Sequence, residues 1–101
     1  MEMTAEAHPG EFIDRFRPYG FQPCGILFFT PDIALGVIDE AEKARIPVLG
    51  VDAFIIRLNF HQPWSEHSID LSSLDAGWNE ARDLITSKKH LGLVFEIVLK
   101  K

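Results

Sequence analysis

Ile46-Pro-Val-Leu-Gly-Val-Asp-Ala-Phe-Ile-Ile-Arg-Leu58 is the stretch on which the reading of the fold turns. It is rich in β-branched residues, has a proline near its start and carries one acid, Asp52, in its middle. Length and composition predict a strand, roughly Val48 to Leu58, buried on at least one face. Alternation sets Leu49, Val51, Ala53, Ile55 and Arg57 on one side and Val48, Gly50, Asp52, Phe54, Ile56 and Leu58 on the other. Both sets are largely apolar, so neither face is simply solvated.

Working outward, Thr30-Pro31-Asp32 has the composition of a helix start, with a capping hydroxyl, a proline for the first position and an acid for the positive end of the dipole. Ile33, Val37, Ala41 and Ala44 form an apolar stripe, widened by Ala34 and Ile38, before Pro47 ends the helix. Before it, Ile26–Phe29 is a wholly apolar run that reads as a strand or a buried turn. Glu11 to Arg17 carries Phe12, Ile13 and Phe16 at helical spacing until Pro18 stops it. Residues 1–10 read as a flexible tail ending at Pro9-Gly10.

After the central run, residues 59–65 read as a connection holding Phe60, His61 and Trp64, and Glu66 to Leu71 as a short returning strand. Ser72-x-x-Asp75 resembles a capping box. Leu74, Trp78, Ala81 and Ile85, with Leu84 beside them, then predict a second amphipathic helix closing near Lys88-Lys89. Leu93, Phe95, Ile97 and Leu99 alternate with Val94, Glu96 and Val98, the pattern of a half-buried strand.

The order is therefore β-α-β-β-α-β after a short N-terminal helical segment, with residues 11–101 forming one α+β domain. That order suits a ferredoxin-like, antiparallel-rich sheet with two helices on one face. The alternative is a three-stranded sheet with residues 26–29 in a buried loop. In the ferredoxin-like sheet, placing Leu93, Phe95, Ile97 and Leu99, together with Leu49, Val51, Ala53 and Ile55, beneath the helices turns Asp52, Phe54 and Ile56, with Val94, Glu96 and Val98, to the open face. Such a mixed apolar and acidic surface suits a protein partner. A second copy of the chain, or the N-terminal segment with Phe12 and Phe16, would also cover it.

Whole-chain numbers narrow the classes. The 101 residues are 47% hydrophobic, 11% aromatic and 25% charged, enough apolar material for a core and unlike a disordered chain. The net charge of −5 argues against nucleic acid or an anionic membrane as partner and is compatible with a basic protein. The lone cysteine, Cys24, forms no internal disulfide and no cysteine metal cluster. The acidic N-terminus lacks a signal-peptide core, and no apolar run reaches the roughly 18 residues of a membrane span. These features describe a reduced, soluble, cytoplasmic protein.

Chemistry-bearing groups do not assemble in the sequence. His61, Glu66, His67 and Asp70 are close together but do not match metal-ligand spacings, and they suit a polar hairpin tip. Asp52 and Glu96 are a conceivable carboxylate pair for acid–base work, but no spacing joins them, and the expected arrangement is a separate surface acid on each of two strands. The glycines form no phosphate loop, Ser72 and Ser73 suit a helix cap, and no cofactor is expected.

One run carries a family resemblance. Ala34-Leu35 on a helix, followed by Ile46-Pro-Val-Leu-Gly-Val-Asp-Ala-Phe54, resembles small immunity proteins of bacterial polymorphic toxin systems, most nearly the immunity protein family numbered 40. Trp64 in a variable loop, a helix with Ala81 and Ile85, and the terminal strand Phe95-Glu-Ile-Val98 extend the similarity over residues 25–99. The resemblance implies a non-enzymatic cytoplasmic protein that binds and neutralises a cognate secreted toxin. Under that reading Asp52, Phe54, Phe60, His61, Trp64, Glu66, Asp70 and Glu96 are the expected partner-binding residues. The competing expectation is a small ligand-binding or enzymatic domain using Asp52, Asp70 and Glu96, which should enclose these acids in a deep polar pocket.

Overall fold

The computed structural model describes residues 9–22, 25–56, 61–63, 68–71 and 76–100. The central run forms β1, Val48–Ile56, and both of its edges are occupied. On one edge lies β4, Val94–Leu99, antiparallel, with Glu96 opposite Asp52 and Phe95 opposite Ala53. On the other edge the chain returns in two antiparallel pieces. β2, His61–Pro63, pairs with Phe54–Ile56, and β3, Ile69–Asp70, pairs with Gly50 and Val51. The fold is α+β, built on a three-stranded antiparallel sheet with β1 at its centre. The return strand begins earlier than expected, at His61 inside the predicted connection, and Pro63 is tolerated because an edge strand can spare an N–H.

The returning chain is irregular. Between the Phe54–Pro63 and Val51–Ile69 pairs β1 advances three residues and the return chain six. Ser68 Oγ fills the gap by accepting the Ala53 N–H at 2.8 Å, a donor that neither β2 nor β3 reaches. β1 has its own irregularity: its register against β4 shifts between Val48 and Gly50. A bulge lets Val48 and Val51 both enter the core. It also turns Leu49, expected beneath the helices, to the opposite side, where it lines a depression with Asp52 and Val98.

The strand order is not the ferredoxin-like one. Among the described residues Ile26–Phe29 makes only isolated pairings, Phe29 with Phe95 and Phe28 with Phe21. Phe29 thus sits on the outer edge of β4, whereas a ferredoxin-like sheet would hold this segment at its centre. The run is bounded by Gly25, at φ +92°, and by Pro31, which has no N–H and opens a helix. Few residues remain to extend a ladder.

Helix α1, Pro31–Lys43, buries Ala34, Val37, Ile38 and Ala41. Thr30 precedes it in an extended conformation and its carbonyl accepts the Ala34 N–H at 2.8 Å, but its hydroxyl makes no capping bond. The helix stops without a glycine. Arg45 takes φ +61°, its N–H donates to Glu42 O, and the Ile46 N–H donates to Ala41 O, which satisfies the last carbonyls.

Helix α2, Trp78–Lys88, begins later than the Ser72 start suggested by the capping-box pattern; residues 72–75 lie outside the described residues. The Ala76 carbonyl accepts the Val48 N–H at 2.7 Å, and Gly77 adopts φ +77°, so the chain there is committed to β1 and cannot be helical. Ala81 and Ile85 enter the core, and the Trp78 indole N–H donates to Ile46 O at 2.8 Å, tying the exit of α1 to the entry of α2. Arg82 bonds Asp39 and Glu42 on α1. A 3₁₀ helix, Pro9–Tyr19, extends beyond the predicted span at both ends, and its Ile13 and Phe16 pack against the core. Phe29, Ile38, Leu71, Ile85, Leu93 and Phe95 are the large side chains at the centre of that core.

Two backbone positions give opposite predictions. A Cβ on Gly77 would lie 2.8 Å from Val48 O in a left-handed conformation, so Gly77→Ala should lower unfolding free energy by about 1–2 kcal/mol or more. Arg45→Gly relieves the same conformation and should raise it by about 0.5–1 kcal/mol. Urea midpoints shifting in opposite directions would bear this out.

Candidate functional site

Alternation along β1 sends Val51 and Ala53 into the core and Gly50, Asp52 and Phe54 to the other face of the sheet. The pairings bring companions to that face: Val98, Glu96 and Val94 from β4, beside Gly50, Asp52 and Phe54 in turn, and Asp70 from β3, beside Gly50. Directly opposed residues hold their Cβ atoms about 5 Å apart, so the carboxylates of Asp52 and Glu96 are neighbours, with Asp70 diagonal to Asp52. Asp52 and Glu96, expected as separate surface acids, thus meet, and what joins them is strand register.

Both central carboxyls are raised above the ordinary carboxylate range. Partial burial is the larger cause for each; Asp70 adds to the effect on Asp52, and Asp52 to that on Glu96. Several acids elsewhere are paired: Asp14 with Arg17, Asp32 with Lys89, Asp39 and Glu42 with Arg82, and Glu40 with Lys43, whereas the exposed Glu80 and Asp83 of α2 have no such pair among the described residues. Among the described residues no cation pairs with Asp52 or Glu96.

The two ends of the face differ. At one end Phe54 is only 6% exposed, because the Phe28 ring lies 4.7 Å from its own and Phe21 stacks behind at 5.8 Å. Phe54, expected as a contact residue, is therefore covered and unavailable to a partner. Among the described residues Phe28 provides this cover, while Phe16 of the N-terminal segment packs against the main core. At the other end a shallow open depression of about 480 Å³ is lined by Leu49, Gly50, Asp52, Ser68, Asp70 and Val98. Gly50 forms part of this lining, where a Cβ would press to 3.3 Å from Ile69 O. Val98 is 39% exposed, which makes the depression partly apolar.

The remaining expected residues are less determined. His61 is the first residue of β2, paired with Ile56. Phe60, Trp64, Glu66 and His67 lie outside the described residues. Among the described residues no three His, Cys, Asp or Glu side chains converge on a point that could hold a metal ion. No helix among them is long and apolar enough to cross a membrane. Val98 and Leu49 were not foreseen as site residues; the exposed parity of Val98 was visible in the alternation, whereas Leu49 depends on the bulge. No protein-family model matches the chain, and comparison with curated proteins finds no relative.

The electrostatics give a pH prediction. Because folding raises both acids, their protonation contributes stability that is complete below the ordinary carboxylate range, about pH 4, and is lost as pH rises through the raised values. Asp52→Asn and Glu96→Gln should therefore be more stable than the native chain at pH 7, with the advantage shrinking toward pH 4. Denaturation midpoints across that range are the measurement; a variant destabilised at pH 7 would show that the carboxylate instead accepts a stabilising bond.

Proposed function

We propose that this chain is a non-catalytic immunity protein that binds and neutralises a cognate secreted bacterial toxin through the acidic face of its sheet. The observation that carries the reading is the placement of Asp52 beside Glu96 in the middle of that face, half-buried and without a cation among the described residues. Like charges set opposite each other across strands are destabilising. A basic partner surface would supply the missing countercharge and raise the association rate. The shallow, partly apolar shape of the depression suits a broad protein contact better than the deep polar pocket expected of a small enzyme.

A face-to-face second copy fits less well, since it would set Asp52, Glu96 and Asp70 against the same three acids. The cytoplasm, where the toxin would act, is the compartment this reading assigns. Phe60, His61, Trp64 and Glu66 belong to the proposed contact through their place in the sequence between β1 and β3, and Trp64 is its expected aromatic anchor.

The test is co-expression with the C-terminal domain of any large secreted protein that the genes flanking this chain encode. Growth should be restored by the native chain and lost with Asp52→Lys/Glu96→Lys. Trp64→Ala should weaken the purified complex by about 2 kcal/mol or more with an unchanged melting temperature. A stable complex is the core of the reading: no binding to any neighbouring toxin domain, or a reaction turned over by the chain and abolished by Asp52→Asn, would overturn it.

A further inference from the structure

We infer that the open sheet face docks its partner through a guanidinium side chain seated between Asp52 and Glu96, with Val98 and Leu49 receiving the partner's flanking apolar groups. The inference rests on the partner-binding reading above and names the chemistry of the contact. Three features on the face fit that occupant. Asp52 and Glu96 are directly opposed on adjacent strands, where Cβ atoms stand about 5 Å apart, so one planar group that donates from two sides can reach both carboxylates. The described residues lining the depression beside them include Asp52 and Asp70 and no lysine or arginine. The exposed Val98 and half-buried Leu49 provide an apolar rim, which suits the weakly hydrated guanidinium better than a strongly hydrated ammonium.

The seat is also linked to protons. Among the described residues the titratable groups facing one another there are Asp52 from β1, Glu96 from β4 and Asp70 from β3. A cation entering between them favours the ionised forms, so any proton held on the pair passes to solvent. Affinity should then fall as the pH drops from neutral toward the carboxylate range.

Titration of the full chain with N-acetyl-arginine amide, followed by amide NMR signals, tests the seat directly, with N-acetyl-lysine amide as the comparison. Saturable shifts are expected at Gly50, Val51, Ala53 and Val98, with arginine bound about threefold or more tighter than lysine. Binding should weaken from pH 7 to pH 5 and disappear in Asp52→Asn/Glu96→Gln, whose spectrum should otherwise show a folded chain. Equal, unsaturable shifts on the α1 acids Asp39 and Glu40, or an undiminished response in the double variant, would overturn the seat. The toxin assay separates this from the function itself. A double variant that no longer binds arginine yet still protects cells would remove the seat and leave the immunity reading standing. Arginine binding by a chain that forms no toxin complex would do the reverse.

Discussion

Everything in this fold depends on β1 having its main chain paired on both edges. A strand so placed has no exposed N–H or C=O ladder, and it becomes the common reference for the elements on either side. β4 follows it from Val48–Leu99 to Phe54–Val94, and the returning chain covers the other edge in two pieces. Where the second edge would fail, at Ala53, the Ser68 hydroxyl supplies the acceptor. A side chain here completes a backbone ladder, which allows the return strand its extra residues without an orphaned donor.

The same strand ties the helices to the sheet. The Val48 N–H is held by Ala76 O immediately before α2, and the carbonyl of Ile46, just before β1, accepts the Trp78 indole. The chain can pass this crowded point only because Gly77 has no Cβ and takes a positive φ. Arg82 then joins α2 to the acids of α1 at a partly exposed position, a small contribution next to the apolar contact below it. Packing of Ala34, Val37, Ile38, Ala41, Ala81 and Ile85 against Val51, Ala53, Phe95 and Ile97 carries most of the stability.

Against that economy of pairing, the far face stands out as a local conflict. Its aromatic end is closed by Phe28 over Phe54, but its centre sets two half-buried carboxylates side by side. Such a pair lowers stability on its own, and it is on this conflict that the proposed contact role of the face rests. The bulge at Val48–Gly50 belongs to the same arrangement, since it moves Leu49 from the helix side to the rim of the acidic depression.

Much of this was legible locally. Period-two alternation in residues 48–56 and 94–99 and period-three-to-four apolar spacing in α1 and α2 reflect which side chains can be buried together, so they identified these elements and the outward parity of Asp52, Phe54, Glu96 and Val98. Other features depend on contacts between distant residues and leave no periodic trace. The neighbour relation of Asp52 and Glu96 exists only through the β1–β4 register, and Phe54 is covered by Phe28, which arrives from a segment paired on the far edge of β4. The start of α2 is set by Val48 taking the Ala76 carbonyl, against a local capping pattern that favours an earlier start. Strand order was likewise beyond local reading: whether Ile26–Phe29 lies inside the sheet or at its rim depends on which edge β4 leaves open, and a four-residue apolar run carries no information about that choice.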